Sequence, residues 1–245
     1  MKNAIKKNNI YISIYSFGYG AMFINDYRRN NDLRILSPID LIDICHKYDL
    51  SGIELPIDRY CSEFDSKQIS KLFDQIYNNN LEIKVDFENI SSKYTNNILP
   101  LLKDYGIEYF RVKISNFFGC NRYNHPEFNL HYNDFIQYID DVINSLMKYE
   151  IKILIENHQD IILDDYYKIW DIFPREHIGI NWDTGNSIPA LETPMDFLNK
   201  MFPYIGNIHL KDYNIYQTNN GYKLVRCPLG KGVVDFYKIF SFIKI

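Results

Sequence analysis

The sequence predicts an α/β fold of the (β/α)-barrel type, and three observations carry that reading. Short aliphatic runs alternate with amphipathic helical patterns seven times along the chain. The runs are uninterrupted and rich in β-branched residues, which fits strands covered on both faces better than the one-sided strands of a hairpin. The length of 245 residues suits one such barrel, which typically runs ~250 residues. Strands alternating with helices form parallel βαβ units, and seven of them in one chain favour a closed barrel over an open sheet.

Ile10 to Tyr15 (IYISIY) is the first strand, followed by a loop through Gly18 and Gly20. Ser37 and Pro38 open a helix as N-cap and N1, with Ile39, Ile42, Ile44 and Tyr48 on its apolar face. Ser51 to Pro56 (SGIELP) is the second strand, stopped by its proline, and Ser66 to Asn79 is the next helix. Leu81 to Phe87 (LEIKVDF) is the third strand, and a helix over Asn96 to Tyr105 leads to the fourth, Ile107 to Ile114 (IEYFRVKI). A polar, lid-like loop spans Ser115 to Asn129. The helix His131 to Tyr149 then carries Phe135, Ile139, Val142, Ile143 and Leu146 at helical spacing. The fifth strand lies in Ile151 to Asp160 (IKILIENHQD), followed by a helix over Asp164 to Phe173. The sixth strand is His177 to Asp183, with a helix over Pro194 to Phe202, and the seventh is Ile205 to Leu210. Asn214 to Gly232 reads as a loop with a short extended piece at Tyr222 to Arg226, and Asp235 to Ile243 is the last helix. No eighth strand follows. The expected architecture is therefore a (β/α)8 TIM-type barrel of seven units lacking its eighth strand, a single domain over residues 1–245 that is short at its C-terminal end.

Hydrophobic content of 46% and charged content of 24% are ordinary globular values. The 21 Tyr and 16 Phe accompany abundant Ile, Asn and Lys and read as coding bias. A net charge of −4 argues against a nucleic-acid partner, which clustered Lys and Arg would have to hold. Lys2, Lys6 and Lys7 form a basic cluster at the N-terminus, expected to be a solvated end. Neither a signal peptide nor an apolar run of about 18 residues is present, so the expectation is a cytoplasmic protein without membrane contact. Cys45, Cys61, Cys120 and Cys227 are widely spaced without a C-x-x-C pair, which fits reduced structural thiols. No Gly-x-Gly-x-x-Gly follows the first strand and no P-loop pattern occurs, so a nucleotide fold has no support.

The chemistry lies at the strand ends. In a parallel barrel the working face is the C-terminal one, and three successive strands end there in Glu156, Asp183 and His209. Two carboxylates and one imidazole are the ligand set of a divalent ion such as Zn, Mn, Co or Mg, with the oxygen-rich version favouring Mn or Mg. Such an ion leaves positions for substrate and polarises a carbonyl or hydroxyl while a nearby carboxylate moves a proton.

The segments GIELP at 52–56, LIENH at 154–158, NWDTGN at 181–186, NIHLKD at 207–212 and PLGKGVVDF at 228–236 resemble motifs of the xylose isomerase-like TIM-barrel superfamily, the sugar phosphate isomerase/epimerase group. The resemblance covers nearly the whole chain in order. It implies a Glu on the fifth strand, an Asp on the sixth and a His on the seventh as metal ligands, matching Glu156, Asp183 and His209. Members include ketose 3-epimerases, sugar isomerases, dehydratases and AP endonucleases. The sequence departs from the family pattern in three places. The fourth ligand, a Glu on the eighth strand that doubles as an acid/base group, has no counterpart here. Asn186 stands where many members have His, and Gly230-Lys231-Gly232 replaces Gly-Glu-Gly. A barrel short of a strand would also expose the edges of strands one and seven and invite a second copy to cover them.

Other rim residues complete the candidate site. His158 follows Glu156 and could act as a base or orient a ligand. Glu54, Lys113, Lys211 and Asp212 are candidate substrate contacts, each with a structural reading beside it: an ion pair for Glu54, an ordinary rim lysine for Lys113, an ion pair at the loop base for Lys211 and Asp212. The expected function is metal-dependent isomerisation or epimerisation of a small sugar, sugar phosphate or related polyhydroxy carbonyl compound, with Glu156 or His158 moving the α-proton. The alternatives are a metal-dependent dehydratase of the same superfamily and a binding or scaffold protein that has lost catalysis.

Overall fold

The computed structural model describes residues 9–21, 36–61, 64–114 and 127–244. Lys2, Lys6, Lys7, Cys120 and the expected lid-like loop up to position 126 lie outside them. The fold is α/β, and strands alternate with helices in chain order as in a TIM barrel. Among the described residues there are seven such strands, one fewer than the usual eight. The chain divides into two compact units, Met1–Asn89 with Lys93–Phe110 and Ile90–Ser92 with Arg111–Ile245.

The first unit is built on β1 (Tyr11–Ser13), β2 (Gly52–Pro56) and β3 (Glu82–Asp86), parallel and paired in chain order. Gly52 lies opposite Glu82, and a Cβ at Gly52 would collide with the Glu82 backbone carbonyl. Only glycine lets the strands approach there. Helices α1 (Asp40–Lys47), α2 (Ile57–Tyr60), α3 (Ser66–Tyr77) and α4 (Ser92–Asp104) follow the strands. Asp65 caps α3 by accepting from the N–H of Lys67 and Gln68 at 3.0 and 3.2 Å. Regular α1 begins at Asp40, later than Ser37 and Pro38 suggest. The Asp40 carboxylate takes both the N–H and the hydroxyl of Ser37, at 2.7 and 2.9 Å, and residues 38–39 form a turn. Ile53, Leu55, Ile69, Phe73 and Leu102 are fully buried, with Phe73 edge-on to Tyr105 at 5.1 Å.

A polar row runs across these strands. Glu54 is paired in register with Lys84, whose ammonium lies 4.7 Å from the Tyr11 ring centroid. The Tyr11 hydroxyl donates to the Glu82 carboxylate. Burial lowers the Lys84 pKa, opposed by the charges of Glu82, Glu108 and Glu54.

The second unit carries β4 (Tyr109–Val112) from Arg111 onward, then β5 (Lys152–Glu156), β6 (Ile178–Asp183) and β7 (Ile205–His209), the last three parallel in chain order. Helices α5 (Phe128–Tyr149), α6 (Leu163–Ile172), α7 (Pro194–Met201) and α8 (Phe236–Ile243) accompany them. Thr193 caps α7, with its hydroxyl accepting from Asp196 N–H at 3.1 Å and Pro194 at the first helical position. Trp182 stacks on Phe197, rings 6.2 Å apart and 5° from parallel. Between β6 and β7 the register slips by one: Ile180 faces Ile205, but Asn181 faces Asn207, so Gly206 is an extra residue in β7. A Cβ on Gly206 would come 2.8 Å from a Leu154 methyl, and one on Gly179 would come 2.7 Å from it. Leu154 thus fills the space that two glycines leave.

Asp212–Thr218 and Gly221–Cys227 form an antiparallel hairpin, β8 and β9, where the sequence suggests a loop with one short extended piece. The turn is Asn219-Asn220, a two-residue connection typical of hairpins. Most side chains of β9 are exposed, so neither strand shows the apolar alternation that marks a core strand.

Gly52→Ala is expected to lower unfolding free energy by about 2 kcal/mol or more, because backbone must shift to admit the methyl. Urea denaturation followed by circular dichroism measures it; an unchanged midpoint would remove the close-approach argument.

Candidate metal centre

Glu156, Asp183 and His209 end β5, β6 and β7, and one ligand atom from each lies within 4.8 Å of the others. Glu156 and Asp183 are each 1% exposed. Two buried carboxylates this close repel and lose hydration, so they demand positive charge. Two cations of the same unit answer this in part. Arg111 donates to Glu156 Oε2, and Lys211 Nζ pairs with Asp183 Oδ2. The donor set of two carboxylate oxygens and one imidazole nitrogen fits a divalent ion of the Zn or Mn type.

The residues after Asp183 hold this arrangement. Asp183 Oδ1 accepts from Gly185 N–H at 3.1 Å. Thr184 clamps the end of β7: its hydroxyl accepts from Lys211 N–H at 2.9 Å and donates to the Lys211 carbonyl at 2.8 Å. Asn186 donates to Glu156 Oε1 at 3.1 Å, while its own carbonyl oxygen accepts from Lys211 Nζ at 3.0 Å. Asn157 reaches across from the end of β5, its oxygen accepting from Asp183 N–H at 2.6 Å and its amide donating to the Asp183 carbonyl at 3.1 Å. Asn181 and Asn207 bridge β6 and β7 at 2.7 Å on the same face. The orientation of Glu156 and Asp183 is thus set by hydrogen bonds behind them.

His158, two residues beyond Glu156, is partly covered. Burial holds its imidazole well below the usual histidine range, helped by the positive charges of Lys113, Arg111, Lys211 and Arg226. It is a neutral base at neutral pH.

The pattern of the xylose isomerase-like TIM barrels matches residues 42–245. The chain belongs to that family. An uncharacterized protein of Escherichia coli K12, YihM, is 21% identical over 230 residues, 90% of this chain and 67% of that protein. The 3-oxo-isoapionate decarboxylase of Pectobacterium atrosepticum is 25% identical over 105 residues, 42% of this chain and 38% of the decarboxylase. Among solved structures, D-psicose 3-epimerase of Clostridium cellulolyticum H10 superposes with a TM-score of 0.64 at 10% identity, covering 85% of this chain and 75% of the epimerase. A probable 3-DHS dehydratase of Bacillus anthracis gives 0.60 at 16% identity over 97% of this chain and 89% of its own. The IOLI protein, solved with a zinc atom, gives 0.58 at 14% identity over 97% and 84%. At these identities the structures establish the fold of the xylose isomerase-like family and no activity.

Most of the residues singled out in the sequence fall within this centre. Glu156, Asp183 and His209 converge, His158 and Lys211 adjoin them, and Lys113 follows β4 at 6% exposure. Glu54 lies in the first unit, two residues before the end of β2, beside Lys84. Asp212 departs from the expectation of a substrate contact. Its Oδ1 accepts from the N–H of Tyr213 and Val234 at 2.9 and 3.1 Å, and its Oδ2 from those of Gly230 and Gly232 at 3.0 and 2.8 Å. Four backbone donors occupy the carboxylate, which organises the loop. Arg111, Asn157, Thr184 and Asn186 were not expected in the site. Arg111 was legible in part, since strand alternation places it on the face of Lys113.

Asp212→Ala should lose about 2 kcal/mol of stability by leaving buried N–H groups unsatisfied. Hydrogen exchange should accelerate selectively at Gly230, Gly232 and Val234; uniform acceleration, or none, would contradict the clasp.

Proposed function

We propose that the protein is a divalent-metal-dependent isomerase or epimerase acting next to the carbonyl of a small polyhydroxy compound. The observation that carries this is the convergence of Glu156, Asp183 and His209 ligand atoms within 4.8 Å at three successive strand ends. Family membership supports it, as do the D-psicose 3-epimerase and zinc-bound structures of the same fold.

Glu156, Asp183 and His209 would hold the ion. The chemistry such an ion supplies when bound is polarisation of a carbonyl and stabilisation of the charge that develops when the α-proton leaves. The chain's own groups divide the remaining work. Glu156 has both oxygens engaged, by Arg111 and by Asn186, so it serves to hold rather than to accept a proton. His158, kept neutral by burial and its cationic neighbours, takes the α-proton and returns it. Lys211 positions Asp183 and reaches Asn186, and is placed to hold a substrate hydroxyl. Return of the proton by His158 to the neighbouring carbon gives an isomer, whereas an epimer needs a proton delivered to the opposite face of the same carbon by a second group.

Elemental analysis of the native protein tests the centre. About one Mn, Zn, Co or Mg per chain is expected, falling to background in Asp183→Ala. Turnover of ketose and keto-sugar substrates, followed by exchange of the α-proton for deuterium, should drop at least about a hundredfold in His158→Gln, in keeping with the loss of a general base. A native protein without metal would end this reading, and products lighter by one water would assign it to the dehydratases instead.

A further inference from the structure

Asn181 carries an unanswered hydrogen-bond donor in the wall of the centre. On β6 it stands two residues before Asp183, so strand alternation puts both side chains on one face. It is also the register partner of Glu156 on β5 and of Asn207 on β7, while Asp183 is the partner of His209. Glu156, Asn181 and Asn207 thus form one row across three strands, next to the row of Asp183 and His209. Asn181 is 0% exposed. Its Oδ1 accepts from Asn207 Nδ2 at 2.7 Å, but its own Nδ2 is buried and meets no acceptor among the described residues. Glu156, its neighbour in register, has both oxygens engaged by Arg111 and Asn186.

A buried donor without an acceptor costs stability and is the exception in folded proteins. Strand pairing does not require it, because β6 and β7 stay in register on both sides of Asn181, from Ile180 with Ile205 to Asp183 with His209. Leucine would fill a similar volume with no polar group to satisfy. We propose that Asn181 is a substrate-binding residue, its Nδ2 donating to the hydroxyl or carbonyl oxygen of the polyhydroxy compound that enters deepest between the strands. This rests on the metal-centre reading and adds to it the group that recognises one substrate oxygen. A compound lacking that oxygen leaves the donor buried and unanswered, and is rejected for that reason.

The test compares acetohydroxamate with glycolohydroxamate, titrated calorimetrically into the native protein, with metal content measured on the same samples. Both hydroxamates grip a divalent ion through the same two oxygens, and the second carries one hydroxyl more. Native protein should bind glycolohydroxamate about tenfold tighter, in keeping with one hydrogen bond to a buried donor. The two should bind alike in Asn181→Leu and in Asn181→Asp. The aspartate keeps the side-chain size and an acceptor for Asn207 while removing the donor, and its charge acts on both hydroxamates equally. Equal binding by the native protein, failure of glycolohydroxamate to bind, or a preference that survives both substitutions overturns the proposal. Any of these with metal present leaves the metal centre standing, whereas metal-free native protein overturns the reading beneath and this proposal with it.

Discussion

One surplus residue in β7 decides whether Glu156, Asp183 and His209 can meet. Side chains on a strand alternate between faces, so a slip of one residue sends every later side chain to the other side. Without the extra residue at Gly206, Asp183 would face Ile208, and His209 would point with Thr184, away from Glu156. The slip restores parity: Asn207 joins Asn181, and His209 joins Asp183. Glycine at the slip has a second use, because Leu154 occupies the volume its side chain would fill. A backbone irregularity and a packing choice one strand away are therefore the same feature.

Once the carboxylates meet, their charge has to be met as well. Glu156 and Asp183 are almost wholly covered, and a buried carboxylate is tolerable only when paired and hydrogen-bonded. Arg111 does this from β4 and Lys211 from the short segment after β7, and Asn186 touches both halves, donating to Glu156 and accepting from Lys211. An amide that donates on one side and accepts on the other serves this position well. The pairing of Glu156 and Asp183 with internal cations also preorganises them, since neither has to rotate to face the centre.

The α/β pattern was legible because its signals are local. Aliphatic runs of five or six residues and 3.6-residue periodicity survive in a single sequence, and six of the seven helices they indicate lie within a few residues of their expected ends. The seventh, α1, starts late because Asp40 rather than Ser37 supplies the capping side chain. The convergence of Glu156, Asp183 and His209 was legible for a similar reason: each ends a strand run. What stayed hidden depends on relations between strands. Arg111 reads as an ordinary strand residue until β4 and β5 meet. Thr184 matters only through the backbone of Lys211, and the slip at Gly206 has no signature beyond a glycine in a strand. The hairpin was missed because exposed strands need not alternate. The backbone role of Asp212 stayed hidden because a carboxylate beside His209 looks functional, while its four backbone donors come from residues up to 22 positions on.

That carboxylate has a consequence for how this region can change over time. By fastening residues 230–234 to the base of β8, Asp212 separates the hairpin into an anchored root and an exposed tip at Asn219 and Asn220. Alterations of length or composition at the tip do not propagate to His209 and Lys211, because the root carries its own hydrogen bonds. The hairpin tip is thus a place that can change by insertion and substitution while His209, three residues before its start, keeps its position.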